Sequence, residues 1–147
     1  MKIAIGCDHG GIVLKPAIVE YLQAKGVIVL DLGCYSTESV NYPVYAKAVA
    51  KAVVNGEADK GILLCGTGIG MSIAANKVKG IRAAVVSDAF CAKMCSAHNN
   101  ANVLCLGGRV VDEKKAVELV DAWFTTPFEG GRHQDRVDMM MKIEEEE

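Results

Sequence analysis

The sequence has no surplus of charge: 16 lysines and arginines stand against 18 aspartates and glutamates, a formal net charge of −2. So small an imbalance excludes the basic face of a nucleic-acid binder and the polybasic surface of a membrane-associated protein, and it confines any anion binding to a local site. Long apolar runs are missing too, none approaching the roughly 20 residues that cross a bilayer. The chain starts Met1-Lys2 and reaches Asp8 after one short apolar stretch, leaving no room for a signal peptide's apolar region and cleavage site. A cytoplasmic protein is expected, with neither nucleic acid nor membrane as partner. No zinc spacing is present either. Cys91 and Cys95 share a helical face, but no further His or Cys cluster lies nearby, so no metal site is expected there. The six cysteines are Cys7, Cys34, Cys65, Cys91, Cys95 and Cys105. Four of these six lie in or at the ends of strand-like runs rather than in turn-rich loops, which predicts free thiols in a reducing compartment.

What is present suits one buried core: 147 residues, 51% of them hydrophobic, read as a single domain over 1–147. Short apolar runs recur at Lys2–Cys7, Val27–Leu32, Gly61–Cys65, Arg82–Val86 and Val103–Leu106, bounded by Gly, Asp or Asn, the pattern of buried parallel strands. Helical stripes alternate with them. Leu14, Ala17, Ile18, Tyr21 and Leu22 form one, Ala46, Val49, Ala50 and Val53 a second behind Pro43, and Ala116, Leu119, Val120, Trp123 and Phe124 a third. Pro16 suits a first turn if its helix starts near Leu14. Phe90, Met94 and Ala97 suggest one more stripe, ending at His98. A polar helix is expected from about residue 132, with Glu144–Glu147 at the wrong end for the helix dipole and frayed into solvent. The alternation predicts an α/β fold: three layers around a five-stranded parallel sheet, strand order undetermined.

Ligands of such sheets sit outside the carboxyl ends of the strands. The loops there read Asp8-His9-Gly10-Gly11, then Cys65-Gly66-Thr67-Gly68-Ile69-Gly70, then Ser87-Asp88, then Gly107-Gly108-Arg109. Gly66, Gly68 and Gly70 let backbone N–H groups, including that of Ile69, converge on an anion at the start of the next helix. No Gly-Lys-Ser/Thr closes the segment and the dinucleotide glycine spacing is absent, so it is neither a P-loop nor that fingerprint. A tight strand-to-helix turn is the plainer reading. Cys65, just before the loop, is a candidate base, with Cys7 as its competitor and a buried structural thiol as the alternative for both.

His9 and His98 fall at element ends where ligands bind, while His133 lies between two arginines; the residues alone do not rank them. Arg132 and Arg136 share a helical face, where their forked donors could grip one phosphate, or where Asp135 could pair with them locally. Arg109 is a further basic group at the expected rim.

Together these segments resemble the type B ribose-5-phosphate isomerase family, which includes allose- and galactose-6-phosphate isomerases. The matching stretches are IAIGCDHGG, ADKGILLCGTGIGMSIAANKVKGIRAA, HNNANVLCLGGRVV and FEGGRHQDRV, in order along the whole chain. The resemblance implies a Rossmann-like α/β/α homodimer, sometimes paired into a tetramer, with active sites shared between subunits and no metal or organic cofactor. It implies a sugar phosphate as substrate and Cys65 as the base that moves a proton between C1 and C2, assisted by the Thr67 hydroxyl. Some relatives use a glutamate one turn into the following helix; this chain has Met71 and Ser72 there. His98 is implied to open the furanose ring, reaching in from the partner subunit with Asn99 and Arg109. Asp8 is implied to hold the sugar, and His9, Arg132 and Arg136 the phosphate.

Two other readings remain at this level. A hexose 6-phosphate needs only slightly more room between base and arginines. A nucleotide-binding module is a different class, with Asp88 about where a ribose-binding acid is expected, roughly 20 residues beyond the glycine loop.

Overall fold

The computed structural model describes residues 1–146. Five strands, β1 (Lys2–Cys7), β2 (Ile28–Asp31), β3 (Lys60–Cys65), β4 (Ala83–Val85) and β5 (Val103–Gly107), form one parallel sheet in the order β2-β1-β3-β5-β4. Each apolar run of the sequence becomes one strand, with ends displaced by no more than one residue. The runs are apolar on both sides of the pleat because both faces of the sheet are covered.

One face carries Ile3, Ile5, Ile62, Leu64, Leu104 and Leu106, packed under Leu14 and under α1 (Lys15–Ala24), α4 (Ala89–Ala97) and α5 (Glu113–Thr125). The opposite face, with Ala4, Leu63, Val103 and Cys105, lies under α2 (Tyr42–Val54) and α3 (Ile69–Ala75). Alternate residues of each strand thus enter different cores, as the period of two requires. Trp123 is fully buried, and its indole N–H donates to the Ala101 carbonyl at 3.0 Å, so the largest side chain of the core leaves no polar atom unpaired. Its truncation to alanine would cost about 3–5 kcal/mol. Pro16 and Pro43 fall in the first turns of α1 and α2, where a missing N–H is harmless. Among the described residues, no helix is long and apolar enough to cross a membrane. All six cysteines are free thiols, and all but Cys91 are buried.

Three expectations are corrected. The buried face of α4 is Ala92, Cys95, Ser96 and Ala97, so Ala97 of the expected stripe is buried while Phe90 is 71% exposed. Apolar residues surround this short helix, so periodicity alone did not select the face that the neighbouring α5 accepts. The last helix, α6 (Arg132–Glu146), does not fray at Glu144: both of its carboxylate oxygens accept the Gly80 N–H, at 3.0 and 3.1 Å. Glu147 lies outside the described residues. Asp88, read as a possible ribose-binding acid, is accounted for as the N-cap of α4, accepting the Cys91 N–H at 2.8 Å, and that bond holds its carboxyl below the usual range.

Candidate active site

The sheet order puts β1 beside β3 although the chain travels outward from them in opposite directions, and such a pair opens a crevice at the carboxyl ends of its strands. Asp8 follows β1 there and Cys65 ends β3. Backbone hydrogen bonds lock the loops at this head of the sheet: Asp8 N–H to Leu64 O at 3.0 Å, Gly108 N–H to Cys65 O at 2.8 Å, Arg109 N–H to Gly66 O at 3.0 Å. The fit depends on missing side chains. A Cβ on Gly11 would lie 2.3 Å from the Leu64 carbonyl carbon, and one on Gly108 would lie 2.2 Å from the Gly10 oxygen. Asp8 is buried, and its Oδ1 accepts the N–H groups of Gly10 (2.8 Å) and Gly11 (3.0 Å), which shapes the first loop from within.

Cys65 is only 5% exposed, and its Sγ accepts the Gly68 N–H at 3.1 Å. Gly68 reaches that position with a φ of +81°, open to glycine at little cost, and starts α3. Thr67 is exposed, and its Oγ1 accepts the Ile69 N–H at 3.2 Å. The anion cradle is therefore narrower than the sequence suggested, because the N–H groups of Gly68 and Ile69 are already engaged. Gly66 lies under the Arg109 guanidinium, and Gly70 lies against the Tyr42 ring. Cys7, the competing base, is enclosed in the core with its Sγ 3.8 Å from that of Cys34; burial, chiefly, pushes its thiol up to about 12. It is unsuited to taking protons near neutrality. His9 accepts the Val40 N–H on Nδ1 at 3.2 Å, which assigns the proton of its neutral form to Nε2.

The remaining candidates gather at the opposite edge. A helix between parallel strands returns the chain to the start of the next one, so His98, ending α4 ahead of β5, sits at the foot of the sheet. There Glu129 N–H donates to Ala97 O at 3.0 Å, bringing in the loop that starts α6. The His98 and His133 rings stack with centroids 4.1 Å apart and planes at 8°. The Glu129 carboxylate lies 3.7 Å from Nε2 of His98 and 3.5 Å from Nε2 of His133. Burial first, then the charges of His98, Arg132 and Arg136, hold the His133 pKa below its ordinary value against the pull of Glu129. Asn99, Arg132 and Arg136 are exposed around this group. One ligand atom from each of His98, Glu129 and His133 lies within 4.8 Å of the others, the spacing of a metal set. However, two near-parallel rings cannot both aim their in-plane lone pairs at one ion, so the arrangement fits a carboxylate shared by two imidazoles better than a cation. Glu129 and Tyr42 were not singled out from sequence. For Glu129 a signal existed, its spacing of four residues before His133; for Tyr42 none did. Arg109, grouped with His98 by resemblance, lies instead at the head, over Gly66 of its own chain.

A doubly wound parallel sheet with a glycine-lined, thiol-bearing crevice at its switch point defines a Rossmann-like α/β protein. Residues 3–140 match the Ribose/Galactose Isomerase family model, and the chain belongs to that family. It is 53% identical over 144 residues to ribose-5-phosphate isomerase B of Escherichia coli (strain K12), covering 98% of this chain and 97% of that protein. The solved structure of ribose-5-phosphate isomerase B from Clostridium thermocellum superposes with a TM-score of 0.97 at 51% identity, covering 99% of each chain. The Mycoplasma genitalium enzyme with bound ribulose-5-phosphate superposes with a TM-score of 0.94 at 44% identity, covering 99% of this chain and 97% of that one.

Proposed function

We propose that this chain is an aldose–ketose isomerase that interconverts ribose 5-phosphate and ribulose 5-phosphate through an enediolate, acting in the cytoplasm as a homodimer or tetramer with sites shared between subunits. The observation that carries this reading is the Cys65 sulfur, held by the Gly68 N–H beside Asp8 at the switch point of the sheet. In the aldose direction Cys65 takes the C2 proton, the C1=O electron pair moves onto oxygen, and the proton returns to C1 as the O2 proton leaves and C2 becomes the carbonyl. The exposed Thr67 hydroxyl relays protons between the two oxygens. The N–H groups of Gly66 and Gly70 and the Arg109 guanidinium face the oxyanion, each well-aimed donor being able to contribute roughly 3 kcal/mol. Asp8 orients the sugar hydroxyls.

His98 opens the furanose ring, with Asn99 beside it, and Arg132, Arg136 and His9 hold the phosphate, which aligns the reacting carbons. Since His98 and the arginine pair lie at the foot of one chain and Cys65 at its head, a complete site draws its foot from a second chain. That division is the support for a homodimer.

The test is a coupled assay of chelator-treated protein on ribose 5-phosphate, allose 6-phosphate and galactose 6-phosphate. Fastest turnover of ribose 5-phosphate is expected. A hexose phosphate turned over best would keep the mechanism and replace the substrate; no turnover of any of them would end the isomerase reading.

A further inference from the structure

A second cluster of cations at the foot of the sheet takes no part in this mechanism. Lys60, Lys79, Arg82, Asn100 and Asn102 line an open cavity of about 640 Å³ in which Asp59 is the one acid, and neither His98, Asn99, Arg132 nor Arg136 borders it. Strand register assembles it. Gly61, Val103 and Ala83 are paired across β3, β5 and β4, so the residues just before them, Lys60, Asn102 and Arg82, stand in one row and project to the same face. Asn102 is a spacer rather than a countercharge: its Nδ2 donates to Gly80 O at 2.9 Å and its Oδ1 accepts the Arg82 N–H at 2.7 Å.

Among the described residues the flanking cations form no salt bridge. Lys60 rests its ammonium over the Trp123 ring, 5.0 Å from the centroid. Arg82 donates from Nε to Asn100 O at 2.9 Å and from Nη1 to the soft Met141 sulfur at 3.7 Å. Among the described residues neither has a carboxylate at ion-pair distance. The nearby acids hydrogen-bond to backbone N–H groups, Asp59 to that of Lys2 and Glu144 to that of Gly80, and Glu144 offsets only part of the positive charge, from the Arg82 side. Partial burial holds Lys60 below its ordinary pKa, and it does the same for Arg82 against the opposing pull of the Glu144 carboxylate, so both cations are short of water.

We propose that this cavity is a second anion site, which takes a phosphate group, free or as a small monoester, between Lys60 and Arg82 with Lys79 at the rim. A guanidinium that is weakly hydrated and an ammonium fixed on an aromatic face present directional and point charges together, the combination that phosphate oxygens accept. The site is separate from the phosphate grip of the reaction and stands whether or not that reading does.

Amide and indole NMR on the uniformly labelled protein tests it at constant ionic strength, chloride being exchanged for phosphate or for glycerol phosphate, an ester with no carbonyl for Cys65 to act beside. Saturable shifts are expected at the Gly80 and Asn100 amides and at the single indole of Trp123. Lys60→Gln should weaken them by about tenfold and Lys79→Gln by less, with the Gly66–Gly70 amides responding as in the unmodified protein. Tighter saturation by the ester would identify an organic phosphate as ligand, and equal saturation free phosphate. Shifts that chloride reproduces would overturn the proposal. So would shifts that survive Lys60→Gln but vanish in an Arg132→Ala/Arg136→Ala double variant.

Discussion

The head and the foot of the sheet are built from different materials. At the head, loops interlock through backbone hydrogen bonds and glycine contacts, and the one reactive group, Cys65, is buried and held by an N–H. At the foot, the functional candidates are side chains at helix ends, several of them exposed, brought together by Glu129 and a pair of stacked imidazoles. Proton transfer tolerates little displacement, so its base belongs on rigid backbone; gripping a phosphate tolerates long arms that adjust. The comparison teaches that the head should fail abruptly when altered and the foot by degrees.

Cys65→Ala is the largest break. It should lower turnover of ribose 5-phosphate by about 10²–10⁴-fold, the span of a lost general base, and leave sugar-phosphate affinity measured by calorimetry nearly unchanged. Near-normal turnover would remove Cys65 from the chemistry. Mixing Cys65→Ala chains with chains of His98→Asn, the one foot residue given a proton-transfer step rather than a grip and so expected to fail abruptly too, sharpens the contrast further. If each site takes its head from one chain and its foot from another, half of the random dimers hold one intact site, and roughly a quarter of normal activity should return. Sites confined to single chains would return none.

Arg136→Ala should act by degrees: a Michaelis constant raised about 10–100-fold, as expected for a lost charge-assisted hydrogen bond, with turnover number much less affected. An unchanged constant would remove Arg136 from the phosphate grip. Gly108→Ala should damage the head through shape alone, since its new methyl would meet the Gly10 oxygen at 2.2 Å. Overpacking of this kind costs roughly 1–3 kcal/mol, read as a lowered midpoint in thermal unfolding, whereas Asn99→Ala on the exposed foot should leave that midpoint in place.

Much of this contrast was legible beforehand at the head and little of it at the foot. Strands buried on both faces declare themselves as apolar runs, and their carboxyl ends then name Asp8 and Cys65 without knowledge of strand order. What the runs withhold is distance. Only the order β2-β1-β3-β5-β4 makes the loops after β1 and β3 neighbours. Cys7 and Cys65 look alike in sequence, both at strand ends, and separate only because one side chain enters the core beside Cys34 while the other meets the Gly68 N–H. Asp88 was misleading because an N-cap and a ligand draw on the same residue types. Glu144 escaped because its partner, the Gly80 N–H, is 64 residues away.

The smallest expected effect concerns His133, whose pKa burial and neighbouring positive charge depress. A histidine neutral in the fold but free to protonate when unfolded binds fewer protons in the native state, so stability is fully present above the ordinary histidine pKa of 6.5 and declines as pH falls from there toward the lowered value. His133→Gln removes that titration. Its unfolding midpoint should therefore fall less steeply than that of the unmodified protein as the medium is acidified below 6.5. Parallel pH profiles for the two proteins would remove His133 from the acid sensitivity of the fold.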